Sequence, residues 1–187
     1  MEERTENDHT LVNAYKAGDI KAFELLYLKY TNKMKGVAYR YVGNSAEAED
    51  IIQEVFINVF KKISSLKNPA SFEAWLKRSV INTSINYLSS QKKENKKNQQ
   101  FQYLLQQEEE EYEPIEDADY STEELLALID ELPDGYKLVF NMYIVDSYSH
   151  KEIAEILNIS EGTSKSQLFK AREFLKKRIR TTKNFMI

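Results

Sequence analysis

With two histidines, His9 and His150, and no cysteine, this 187-residue chain lacks the usual parts of most acid–base and metal chemistry. Without a thiol there is no disulfide, thiolate metal site or cysteine nucleophile. Neither histidine has a second His or Cys near it in the sequence. The sequence therefore implies no catalytic residue, no metal ligand set and no cofactor. The side chains that do fall at a working spacing are basic and polar ones between Ser149 and Arg178, in the pattern of a helix-turn-helix. Ala154 is small where two helices cross closely. Asn158, four residues on, tolerates the left-handed backbone of a tight turn, and Ser160 can cap the second helix. Ser164, Lys165, Ser166, Gln167, Phe169 and Lys170 fall around the early outer surface of that helix, and Arg172, Lys176, Lys177 and Arg178 follow. A recognition helix reads base edges from its early turns, and later basic residues hold phosphates. Lys165, Ser166, Gln167 and Phe169 are thus the base-edge candidates, Lys170 and Arg172 the phosphate candidates, and Ser164 is grouped with them on the DNA-binding helix.

Charge distribution agrees with a polyanion partner, although the formal net charge is −4. Residues 61–97 hold 9 basic and 2 acidic side chains, and residues 151–187 hold 9 and 4. Between them, residues 98–124 hold 10 acidic side chains and no basic one. Two basic segments separated by an acidic one point to nucleic acid bound in two places.

The elements that must position these residues read as helices throughout. With only 5 Gly and 3 Pro, the composition argues against a turn-rich β fold. Leu11, Val12 and Tyr15 repeat at helical spacing up to Gly18. A second helix, capped by Asp19, carries Phe23, Leu26, Tyr27, Tyr30, Met34, Val37, Ala38 and Tyr41. Asn44 and Glu47 resemble a capping box ahead of Ile51, Ile52, Val55, Phe56, Val59, Phe60 and Ile63. After Asn68-Pro69 a fourth helix carries Phe72, Trp75, Leu76, Val80, Ile81, Ile85 and Leu88, with Trp75 read as core. Residues 91–119 lose the pattern and read as a flexible acidic linker, partly helical over 101–107. Capping boxes at Ser121/Glu124 and Ser149/Glu152 open further helices. The expected fold is all-α, with two small helical domains at 8–90 and 120–182. No apolar run is long enough to span a membrane, and the charged start Met1-Glu2-Glu3-Arg4 is no signal peptide. A cytoplasmic protein without membrane insertion is expected.

Residues 45–63, with Glu49-Asp50-Ile51-Ile52-Gln53-Glu54-Val55-Phe56 at their centre, resemble region 2.2 of bacterial sigma factors. Ser71-Phe72-Glu73-Ala74-Trp75-Leu76-Lys77-Arg78, continuing through Asn82 to Leu88, is similar to regions 2.3 and 2.4. Leu132-Pro133 and Tyr148 through Arg172 are similar to region 4. The order, size and two-domain layout resemble the extracytoplasmic-function (ECF) sigma factors of the sigma-70 family. That resemblance implies a non-enzymatic subunit that binds core RNA polymerase, recognises promoter DNA at minus ten and minus thirty-five, and helps open it. It implies core contacts at Asp50, Gln53, Glu54 and Asn58, left outside the apolar stripe. It implies minus-ten contacts at Leu66 and Lys67 in a loop and at Lys77, Arg78, Asn82 and Asn86 on the following helix. An aromatic residue is usual in the family at Leu66, and an apolar one at Ser164. Whether an anti-sigma factor partners the chain is left open. The competing reading, a ligand-responsive helix-turn-helix regulator, predicts a dimer on a palindromic site and no affinity for polymerase.

Overall fold

Helix caps divide the chain where the local chemistry requires. The computed structural model describes residues 7–95 and 121–184, which fall into two compact units. The acidic linker and the turn of helix expected over 101–107 lie outside the described residues.

In the first unit, Asn7 caps α1 (Asp8–Lys16) and Asp19 caps α2 (Ile20–Val42), each accepting from a backbone N–H two residues on. Gly43 ends α2 at φ +71°, a conformation that costs a residue without Cβ little. Asn44 then caps α3 (Ser45–Lys62) by accepting from the N–H groups of Ala46 and Glu47. Two short 3₁₀ turns, Ile63–Ser65 and Pro69–Ser71, frame a loop before α4 (Phe72–Asn95). α4 runs past residue 90, where its apolar pattern stops, because Gln, Lys and Glu are adequate helix formers. α2, α3 and α4 pack on one another, and α1 packs on α2 and α4. Leu26, Met34, Val55, Val59, Phe72, Leu76 and Val80 are fully buried between them. Truncating a buried ring such as Phe72 to Ala costs about 3–5 kcal/mol.

A polar network ties this bundle together at one end. Lys29 pairs with Asp8 at 2.7 Å, and Lys33 pairs with Glu73 at 2.5 Å. Between them the Tyr30 hydroxyl donates to Asp8, and to Glu73 at 3.3 Å. Burial, reinforced by both carboxylates, pushes the Tyr30 phenol well above its usual range, so it stays a donor.

In the second unit, reciprocal capping boxes open α5 (Thr122–Asp130) and α7 (His150–Leu157), as Ser121/Glu124 and Ser149/Glu152 predict. α6 (Asp134–Phe140) starts at Pro133 and continues as a π turn, Asn141–Val145. Asn158 adopts the left-handed conformation at φ +54°, and α8 (Glu161–Asn184) follows, with Ser160 Oγ accepting from Thr163 N–H at 2.9 Å. α6 and α7 pack against α8 around Val139, Met142, Ile153, Leu168 and Ala171. Ala154 is buried at the turn, where a larger side chain would hold the helices apart. Leu125 and Leu126 are exposed.

Candidate nucleic-acid interface

The early part of α8 sorts the minus-thirty-five candidates by side. At 100° per residue, Lys165, Phe169 and Arg172 fall on one stripe, with Ser166 beside it. Lys165 and Arg172 are exposed, Phe169 is 43% exposed, and Ser166 is half-buried. An apolar ring left in the open among cations suits contact with a thymine methyl or a base face. Two candidates are corrected. Ser164 is 0% exposed and Gln167 9%, on the side of Leu168 and Ala171 that packs on the preceding helices, so neither presents an edge to a groove. Lys170 is half-buried and lies about 140° around the axis from Lys165, away from the stripe.

Ser164 instead completes an internal contact. His150 Nδ1 lies 2.9 Å from Ser164 Oγ, and the Tyr143 ring stacks on the imidazole at 4.4 Å and 22°. Burial, then the nearby Lys165 and Arg172 charges, hold His150 below its ordinary pKa, and Glu161 opposes them. The imidazole is therefore neutral at pH 7, a packing and hydrogen-bonding group in the helix-turn-helix. Ser164 itself signals this: a hydroxyl at an apolar position needs a partner. The fourteen-residue separation hides which one.

On α3 the exposed face carries Asp50, Gln53, Glu54 and Asn58, opposite buried Ile51, Ile52, Val55, Phe56 and Val59. The face has two unlike borders. Gln53 borders an apolar groove formed by Phe23, Tyr27, Phe56, Ile57 and Phe60. Asn58 borders a polar cavity between α3 and α4 and so departs from the grouping with Asp50 and Glu54.

That second cavity, about 240 Å³, is lined by Asn58, Lys62, Trp75, Ser79, Asn82 and Thr83 with Val55 and Val59. Asn82 Oδ1 is buried and receives no hydrogen bond from the described residues. An unpaired buried acceptor costs about 1–3 kcal/mol and demands a donor. Trp75 is half-buried and forms a wall of the cavity, which corrects its reading as plain core. Arg78 and Asn86, both exposed, lie on the Asn82 side of α4. Lys77 does not: it lies about 140° around the helix, on the side of Ile81 and Ser84, half-buried. Leu66 is half-buried and Lys67 exposed in the loop between the 3₁₀ turns. Sequence reasoning missed Lys62, Ser79 and Thr83, whose types are common on any solvated helix and which only the α3–α4 packing brings together.

A chain whose described residues form helices alone, with an exposed acidic and polar helix face, a polar cavity and a cationic helix-turn-helix, belongs to the class of multi-module DNA-binding proteins. Residues 26–94 match Sigma-70 region 2, and residues 122–175 match Sigma-70, region 4. The chain is similar to the ECF RNA polymerase sigma-E factor of Haemophilus influenzae, 32% identical over 184 residues, covering 92% of this chain and 95% of that protein. It is 30% identical over 192 residues to the sigma-E factor of Escherichia coli, covering 92% and 94%. Among solved structures, the sigma factor RpoE of Bartonella quintana, in complex with the anti-sigma factor NepR, aligns with a TM-score of 0.53. It covers 86% of this chain and 98% of that one at 17% identity, a likeness that shows the fold alone. The chain belongs to the ECF sigma factors of the sigma-70 family. It is a non-enzymatic initiation factor that binds core RNA polymerase and promoter DNA and directs promoter-specific transcription. Among the described residues, no helix is long and apolar enough to cross a membrane.

Proposed function

We propose a division of labour in which residues 8–90 bind core polymerase and capture the minus-ten element, and residues 120–182 read the minus-thirty-five element across a 91–119 tether. The observation that carries it is the α3–α4 cavity, where Asn82 Oδ1 lacks a donor beside Trp75 and Lys62. An unpaired base brings the missing parts: an exocyclic amino group for the acceptor, a flat face for the indole, and a phosphate for the ammonium. Leu66 and Lys67 stand at the loop, and Arg78 and Asn86 continue the strand path along α4. Asp50, Gln53 and Glu54 hold the polymerase; Asn58 serves the cavity. Lys165, Ser166 and Phe169 read base edges, and Arg172 holds phosphate. The acidic stretch over 106–124 acts as a polyanion, drawn to polymerase surfaces built to hold nucleic acid. These tasks place the chain in the cytoplasm. An anti-sigma factor, as the Bartonella protein has, is a further partner under this reading.

Site-specific photo-crosslinking tests the division. A benzophenone side chain at position 50 or 54 should label a polymerase subunit, and one at position 58 or 83 should label the nontemplate strand. Label on polymerase from all four positions would refute the assignment of the cavity.

A further inference from the structure

We infer that Tyr15 and Lys16 are positioning residues for the strand-capture loop, holding it in place from α1. This rests on the reading of residues 63–71 as that loop.

The loop's own hydrogen bonds are short-range. Leu66 N–H donates to Ile63 C=O at 3.1 Å, Ala70 N–H to Asn68 Oδ1 at 3.1 Å, and Ser71 Oγ to Asn68 C=O at 2.7 Å. Such bonds shape turns and do not fix where a loop sits on the fold. α1 supplies what is missing. Lys16 Nζ donates to Leu66 C=O at 2.5 Å, across fifty residues. One residue earlier, Tyr15 Oη donates to Phe60 C=O at 3.1 Å, in the last turn of α3. Phe60 lies in the last turn of α3, where carbonyls run out of following N–H groups, and Leu66 lies just past the first 3₁₀ turn.

The anchor is itself fixed. The Tyr15 ring packs on Phe23 and Phe60, with centroids 5.4 Å and 5.5 Å away. At its other end, α1 is tied through Asp8 to Lys29 and Tyr30, and Tyr30 reaches Glu73 at the start of α4. α1 therefore spans the two ends of the loop, bonding the α3 side directly and the α4 side through Tyr30. Buried Ile63 pins one point of the loop, and the Lys16 bond fixes the carbonyl three residues on, next to Lys67. Losing that bond frees the backbone between Ile63 and Asn68, and ordering it again on DNA costs affinity only where the loop grips an unpaired base.

The test uses holoenzyme assembled from the full chain and core polymerase. A bound duplex selected from a random-sequence library is remade as a fork with an unpaired nontemplate strand, and again with abasic sites in that strand. The ratio of the two affinities isolates base capture. Tyr15→Phe keeps the ring and removes the hydroxyl; Lys16→Met removes the cation; Lys16→Arg keeps a donor. We expect the ratio to fall about three- to tenfold for the first two, as for one lost hydrogen bond, and to be retained for Lys16→Arg. Affinity for the abasic fork should be unchanged. If Lys16→Met weakens both forks equally and lowers the salt slope by about one, while Tyr15→Phe does nothing, Lys16 is a phosphate contact and the inference fails. If Leu66→Ala and Lys67→Ala lower the ratio but neither α1 variant does, the loop captures bases without this anchor and the inference alone fails. If no loop variant lowers the ratio, the reading of the loop fails as well.

Discussion

Ser164→Ala and Lys165→Ala, neighbours on α8, should produce opposite signatures. Ser164 is fully buried, and its Oγ lies 2.9 Å from His150 Nδ1. Removing a neutral hydrogen bond costs about 0.5–1.5 kcal/mol, and more if the partner is left dry. The imidazole is half-exposed and water can replace the hydroxyl, so the expected loss is about 1 kcal/mol, at the middle of that range. That is roughly a fivefold rise in the open population, read as a fivefold faster amide exchange across peptides from α7 and α8. The sole tryptophan, Trp75, lies in the other unit, so its fluorescence transition should not move. Preference among minus-thirty-five sequences should be unchanged. Lys165→Ala should leave exchange unaltered, since an exposed substitution is worth within about 0.5 kcal/mol, and should cost about 1–3 kcal/mol of binding at one base position. A Ser164→Ala protein with changed base preference and unchanged exchange would refute the sorting of α8 by burial.

Three further outcomes are expected. Asp50→Lys with Glu54→Lys, both exposed, should weaken the core complex at least tenfold, or about 1.4 kcal/mol, and leave the thermal transition in place; gel-filtration titration and Trp75 fluorescence check the two halves. Because burial lowers the His150 pKa, the unfolded chain takes up that proton first as pH falls, so the stability linked to it is complete above about pH 6.5 and is lost below. His150→Gln should remove that part of the decline below about pH 6.5, measured by denaturant titration of the α7–α8 amides. Neutralising Glu108–Glu111 to Gln should raise nonspecific DNA affinity at low salt and change the ratio of abortive to full-length transcripts; equality with the parent in both assays would make the tract a plain spacer.

Much of this architecture was legible in the residues themselves. Caps announce themselves locally: Ser121/Glu124, Ser149/Glu152 and the left-handed Asn158 all stand where their side-chain chemistry requires. The α3 stripe was readable because burial at 3.6-residue spacing leaves one unambiguous outer face. What failed was rotation near a face's edge. Ser164, Gln167 and Lys77 are polar, so they read as outward, yet the helices that close over them are set by contacts distant in sequence. The α3–α4 cavity and the Tyr15–Phe60 and Lys16–Leu66 bonds were likewise hidden, because each joins residues that only the packed bundle brings together. Family resemblance named Asn82, and the unpaired Oδ1 adds a physical reason for the part in base capture proposed for it.

The most direct measurement mixes the full chain with core polymerase, resolves the complex by gel filtration, and sequences the 5′ ends of transcripts made from a fragmented genomic library. The account predicts a 1:1 complex whose start sites share two unlike elements, near minus ten and minus thirty-five, with the minus-ten preference lost on Asn82→Ala and the minus-thirty-five preference on Lys165→Ala. A dimer on one palindromic site, with no polymerase complex and no new transcripts, would contradict it.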